Sequence, residues 1–557
     1  MFSAAITASS DVIKCNRDSG EEKLELPQKC LPDQYSLTTL LNEFQCTNNP
    51  HDLEGNLNRI LVLNSCLSLE ERLHKSPSDI KTSQELMRII AKLIPPDGNL
   101  ISPPSSYTSV SHKISADKQI NLHQTRLIAL LGLKSLAQLR ILLPAETLLD
   151  DQIILSVLAF TSSVDPWTTP TILQSAEHFL SLQKFQISNQ EFIKNSILIS
   201  FIRPLFLTST LPKITASGRA ATLPITPPKP HDFGVWDRVS KPWRLDACHS
   251  CTVLLWAVIN ATQQTTLDYF NLMIPPILTL LDFPHTAIRL RGLQILLPFL
   301  EKSTPKLLQQ TGLGSVIEDA VQPMLLYLPP ITPLEESLSL LPVAFTASFQ
   351  ILNSRFPATS LESTGCGISS SQKYRRDSLT ILLQSVISSY QHTTLSSASD
   401  PTIKEIILGQ IPELVRGLGI YCVAHLHKLV PLISDVLLDS LGAIEPTLLW
   451  TAARTLREII LCAWPRVKEL RWRREITRII VGCWSINFME RNTDQIRNEK
   501  LEEVCEELKV VGRVFVEAIR ASGNPDVIQE LELLLELDKN LIIVFGLTEV
   551  EEETKTK

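Results

Sequence analysis

Glycine is scarce in this chain, with 19 among 557 residues, and aromatic residues make up only 6%. That shortage argues against a glycine-rich nucleotide-binding sheet and against a β-sandwich. No apolar run approaches the roughly 18 residues that a membrane span requires. The most apolar short stretch, 541–547, is seven residues long and contains Gly546. The opening MFSAAITASS has neither a basic region nor a long apolar core, so no secretory signal is expected. The 11 cysteines are odd in number and follow no framework spacing. They are expected to be reduced core thiols of a cytoplasmic and nuclear protein. The formal charge of −7 is mild and of the wrong sign for a polyanion binder, because nucleic-acid affinity rests on neutralising phosphates.

What the chain does have is apolar residues, 44% of the total and rich in Leu and Ile, placed three and four apart. The stretch 274–302, IPPILTLLDFPHTAIRLRGLQILLPFLEK, carries the most information. Ile277, Leu278 and Leu281 form one apolar face, Asp282, Pro284 and His285 interrupt it, and Ile288, Gly292, Ile295, Leu296 and Phe299 form a second. Two short one-sided helices cannot bury their faces alone and need neighbours of the same kind. The expected fold is therefore all-α, an α-solenoid of divergent helical hairpins, with almost no sheet.

The expected organisation follows from the breaks in that period. Residues 1–30 are polar and read as a disordered tail, and 31–207 as an N-terminal helical region with a Pro/Ser-rich loop at 95–118. Residues 208–245 read as a Pro-rich linker holding Trp236 and Trp243. Then come a central helical region at 246–360, a flexible loop at 361–378, C-terminal repeats at 379–547 and an acidic tail at 548–557. Pro298 is expected to kink or end its helix early, and Trp464-Pro465 to end another. Thr311 reads as an N-cap with Gly312 as a turn residue. Pro333 reads as the first residue of a helix whose first turn holds Glu335 and Glu336.

No constellation for catalysis emerges, and no cofactor is expected. Cys248-His249-Ser250-Cys251 is the only C-x-x-C, opening a helix at Thr252, and no second pair completes a zinc site. Thr364-Gly365-Cys366-Gly367 lacks the Gly-Lys of a phosphate loop. His425 and His427 lie two apart and so point to different faces, as partly exposed polar residues. The strongest basic cluster is Arg471-Trp472-Arg473-Arg474, with Arg466 and Lys468 just upstream. It reads either as a patch for an acidic partner segment or as a solvated helix end with Trp472 packed locally. Trp464 and Trp484 read as core more than contact, with Trp464 still counted beside Arg466, Arg471, Arg473 and Arg474 as a candidate partner-binding residue. Replacing Arg471, Arg473 and Arg474 by Glu is expected to weaken partner capture without unfolding the chain.

Within 280–292, LLDFPHTAIRLRG resembles a HEAT repeat. In such repeats an Asp after the first helix and an Arg early in the second link neighbouring turns. Asp282 and Arg289 hold those positions, and Gly292 the small-residue position. A more specific resemblance, over roughly 236–484, is to the Tel-two-interacting protein two family of the Triple-T complex. It is carried by Leu290-Arg291-Gly292, Thr311-Gly312-Leu313, Tyr327-Leu328-Pro329 and Thr332-Pro333 followed by Glu335, Glu336 and Ser337. Lys241-Pro242-Trp243, Trp464-Pro465-Arg466 and Cys483-Trp484 fit the same family. The resemblance implies a non-catalytic scaffold that binds two other helical-repeat subunits. It also implies that the assembly works with the Hsp-ninety machinery and supports phosphatidylinositol-3-kinase-related kinases, with no direct nucleic acid and no membrane. The alternative is an armadillo- or HEAT-type transport receptor, which would show regular repeats of about 40 residues throughout.

Overall fold

A computed structural model describes residues 2–19, 24–45, 52–74, 79–98, 116–144, 146–207, 241–356, 370–395, 400–489, 499–521, 535 and 541–546. Helices account for nearly all of the regular structure. Among the described residues the only strands are the two-residue pieces Tyr35–Ser36 and Leu73–His74, paired in parallel. Contacts divide the chain into two units. One is Met1–Phe283 with Arg291–Thr304, and the other is Pro284–Leu290 with Pro305–Lys557. The division falls inside the expected central region 246–360, within the helix Thr286–Lys302.

The helices form where the apolar period is strong, and polar side chains mark their starts. Asp52, Asp150, Thr169, Thr262 and Asp400 each accept a hydrogen bond from a backbone N–H of the first turn, satisfying a donor the helix cannot. In the second unit, Pro446–Val467 buries Leu449, Ala452, Ala453, Leu456, Ile460 and Ala463. Pro446 sits where a missing N–H costs nothing. The helix Glu499–Arg520 buries Val504, Leu508, Val511, Phe515 and Ile519 and lies along Pro446–Val467. Glu499 and Glu502 sit in its first turn and Arg520 in the last, matching the helix dipole. Each buried Leu or Phe contributes about 2 kcal/mol, so the stacked faces hold each unit together. In the first unit, Lys302 ends the neighbouring helix Ser250–Asn260. Its ammonium donates to the carbonyls of Val258 at 2.6 Å and Ala261 at 2.7 Å, and to that of Ile259.

Several expectations are corrected. The supposed tail 1–30 carries a helix, Ser3–Ser19, with Phe2, Ala5 and Ile13 buried, followed by buried Leu24 and Leu26. Its apolar residues are few, but Phe2, Ala5 and Ile13 fall on the buried side. Pro298 does not end its helix, which runs from Thr286 to Lys302. Pro465 likewise lies inside Pro446–Val467. A proline removes one hydrogen bond, and burial of Phe299 and Leu300 after the first, and of Val467 after the second, outweighs that loss. The loop 95–118 gives way to helix at Ala116, and the loop 361–378 at Ser370. Pro333 is the N-cap of Leu334–Arg355 rather than its first residue, although Glu335 and Glu336 do occupy the first turn. One helical stretch, Pro401–Leu437, is long and apolar enough to cross a membrane by length and composition, against expectation. It consists of the helices Pro401–Leu408, Ile411–Leu418 and Leu426–Leu437 with the 3-10 segment Gly419–His425 between the last two. The first two helices and the 3-10 segment each pack against Pro446–Val467, as does Leu426–Leu437. Residues 208–240 with Trp236, 361–369, 522–534 and the acidic tail lie outside the described residues.

Candidate interaction surface

The hairpin singled out by the sequence is present as Phe270–Leu281 and Thr286–Lys302. Gly292 lets the two helices approach closely. A Cβ there would lie 3.1 Å from both Leu280 Cβ and Leu281 Cδ2. The arginine that the fold buries is Arg291. It is ion-paired with Asp165 and donates to Ser162 Oγ at 3.0 Å, Gln294 Oε1 at 3.1 Å and Thr252 Oγ1 at 3.2 Å. Thr252 in turn donates to Asp165 at 2.5 Å. Burial pushes the Asp165 carboxyl above its ordinary range, with Arg291 and Thr252 pulling against that rise. This node fastens the loop after Asp151–Leu158 and the helix Ser250–Asn260 to the hairpin. Asp282 is exposed at the end of the first helix. Arg289 lays its guanidinium over the Tyr327 ring, 5.0 Å from the centroid.

The elements after the hairpin are helix-start devices. Gly312, at φ 68°, is the N-cap of Leu313–Val321. Thr311 precedes it, donating to Leu307 O at 2.6 Å and accepting from Leu313 N at 3.4 Å, so the N-cap is one residue later than the sequence suggests. Left-handed backbone explains why a glycine stands there. Glu336 accepts a hydrogen bond from Thr286.

The cysteine and histidine motifs resolve as packing. Cys248 donates to Pro96 O at 3.3 Å, and burial raises the Cys251 thiol to about 11. The helix opens at Ser250, two residues before Thr252. His249 is buried against Phe201, ring centroids 5.6 Å apart, and desolvation pulls it down to about 4. His425 is buried rather than partly exposed, whereas His427 is exposed. Desolvation lowers the His425 value, and Lys428 and His427 lower it further. Among the described residues no group of three or more His, Cys, Asp or Glu is placed to hold a metal ion.

The basic cluster forms a corner between Pro446–Val467 and Leu470–Trp484. Its members do not act alike. Arg473 is only 8% exposed and donates to Lys468 O at 3.1 Å, so it is part of the corner's framework. Arg466 is ion-paired with Glu469, and Arg478 with Glu475 at 2.6 Å. Arg471, Arg474 and Lys468 are exposed, with Arg471 stacked 4.8 Å from the centroid of Trp472. Trp464, expected in the core, is 43% exposed, whereas Trp484 is buried. Trp464 sits at the edge of its helix's apolar stripe, and Leu461 and Lys468 continue the outer face at helical spacing. Leu461 and Leu470 are also exposed. The sequence shows the charges of this corner but not which arginine is buried. It also gives no sign of Asp165, Ser162 or Thr252 as partners of Arg291.

No curated protein gives a significant match. The karyopherin Kap121p bound to the SUMO protease Ulp1p aligns at 12% identity and TM-score 0.39, over 91% of this chain and 48% of that one. Kap121p bound to Nup53p aligns at 12% and 0.38, over 87% and 46%. An engineered protein aligns at 12% and 0.34, over 93% and 97%. The chain spans about half the length of those karyopherin chains. The profile of the Tti2 family matches residues 153–443. That span takes in the Arg291 node and the helix starts at Gly312 and Pro333, and it ends before the basic corner. With more than half of its length matched, the chain belongs to the Tti2 family.

Proposed function

We propose that this protein is a non-catalytic scaffold subunit of a Triple-T-like co-chaperone assembly. In this reading it binds two other helical-repeat subunits and works with the Hsp-ninety machinery. The assembly supports the maturation and stability of phosphatidylinositol-3-kinase-related kinases, in the cytoplasm and nucleus. The observation that carries the reading is the family match over 153–443, on a chain built of packed helical hairpins. Membership ties the chain to protein interaction within that complex. The mechanism is surface complementarity. Helices locked by buried faces and by nodes such as Arg291–Asp165 lose little freedom on docking, and affinity concentrates in a few anchors.

Affinity capture of the full chain followed by mass spectrometry tests this. Two large helical-repeat proteins with chaperone components are expected. Recovery of import cargo or a Ran-type GTPase in their place would overturn it. Fractionation of the same cells, with the chain found in both compartments, checks the localisation.

A further inference from the structure

We propose that the corner formed by Leu461, Trp464, Lys468, Leu470 and Arg471 docks a short acidic peptide segment that carries an apolar anchor. The surface is argued from its own chemistry, lies beyond the family-matched span and does not depend on the assembly reading.

Charge is the first argument. Residues 461–478 hold six basic side chains, Arg466, Lys468, Arg471, Arg473, Arg474 and Arg478, against two acidic ones, Glu469 and Glu475. That is a local excess of positive charge in a chain whose total is −7. Glu469 and Glu475 are already engaged by Arg466 and Arg478. Lys468 and Arg471 have no acidic partner among the described residues and are exposed. Carboxylates brought to them would meet charge that the fold leaves unneutralised.

The second argument is the apolar surface beside that charge. Trp464 at 43%, Leu461 at 50% and Leu470 at 48% exposure flank the cations on both arms of the corner. Burial of Trp464 against a partner would release the largest apolar area available there. Tryptophan next to arginine is the composition of an energetic centre in a protein interface. Framework and contact residues are also separated. Arg473 holds the turn through Lys468 O, so the exposed residues project from a fixed base.

The same observations select the occupant. A nucleic acid is held by many phosphate contacts, and two unpaired cations on an acidic chain supply few. A membrane surface is held by a broader cluster of basic residues. A peptide alternating Asp or Glu with a Leu-Phe anchor matches both the number of cations and the aromatic seat.

The test is fluorescence anisotropy with the full chain and a labelled peptide of Asp and Glu around a Leu-Phe pair. A second peptide of the same charge lacks the Leu-Phe pair. The first is expected to bind, and to bind more weakly as salt rises. The second is expected to bind about tenfold more weakly. Trp464→Ala and Arg471→Glu are each expected to lose about tenfold in affinity. Lys500→Glu, an equal charge change at an exposed position on another helix, is expected to stay within about twofold. Unaltered circular dichroism checks that the variants fold, and Lys468→Gln provides a milder charge variant if Arg471→Glu does not. The proposal is overturned by equal losses in Arg471→Glu and Lys500→Glu, or by an indifferent Trp464→Ala. Absence of binding would overturn it too. So would tighter, Arg471-dependent binding of a single-stranded oligonucleotide or of phosphatidylserine vesicles.

Discussion

Arg291 and Asp165, 126 positions apart, form a buried ion pair, and Thr252 hydrogen-bonds to both. The pair joins two parts of the first unit that have no local reason to meet. Removing one partner strands the other in a desolvated site. Arg291→Met is therefore expected to lower stability by about 3–5 kcal/mol. The double variant Arg291→Met/Asp165→Leu should lose less than Arg291→Met alone. Chemical denaturation of the three proteins checks both. Equal stability of wild type and Arg291→Met would show that the pair contributes nothing.

His249 gives the first unit an acid-sensitive element. Its value falls from the ordinary 6.5 to about 4 because burial disfavours the imidazolium. Its Nδ1 has no hydrogen-bond partner to offset that burial. Between those values the unfolded chain binds a proton that the folded chain refuses. Stability is therefore lost as pH falls through this window and is restored as pH rises. The full effect is on the order of 3 kcal/mol. Thermal melts across the window should show the slope in wild type and a shallower one in His249→Phe.

Two glycines should respond to alanine for different reasons. At Gly292 the added methyl meets Leu280 and Leu281 at 3.1 Å, an overpacking expected to cost about 1–3 kcal/mol. At Gly312 no atom lies within 4 Å, but φ is 68°, and the backbone alone should cost about 1–2 kcal/mol. A larger side chain should worsen the first site and leave the second nearly unchanged. Gly292→Val and Gly312→Ser melts distinguish the two.

The basic corner should split under mutation. Arg473→Glu places a carboxylate in a buried frame and should destabilise by about 2–4 kcal/mol. Arg471→Glu and Trp464→Ala should stay within about 0.5 kcal/mol of wild type. Replacing all three arginines together would therefore confuse loss of structure with loss of contact. Separate melts of each variant check this division.

The sequence reveals helices better than it reveals their ends. Apolar residues three and four apart identify Pro446–Val467 and Thr286–Lys302 directly. Pro298 and Pro465 read as stops because propensity is a local quantity, whereas the apolar residues that follow them are rewarded by neighbours. Phe2 and Ile13 carry no readable period in the sequence for the same reason. Their partners lie outside the window in which a period can be seen. The corner shows a similar limit. Its charges are plain in the sequence, but exposure of Trp464 and burial of Arg473 depend on which side of each helix faces the stack. Asp165 could not be paired with Arg291 from spacing alone, since nothing local encodes a contact across 126 positions.

The stop signal for Ser250–Asn260 is written more than forty residues downstream, in the side chain of Lys302. A piece of the protein cut short of that lysine would keep every residue of the helix yet leave its last carbonyls bare. Its final turn would then exchange amide hydrogens faster than in the whole chain. This helix is thus finished by the hairpin that follows it, and is not a self-sufficient brick.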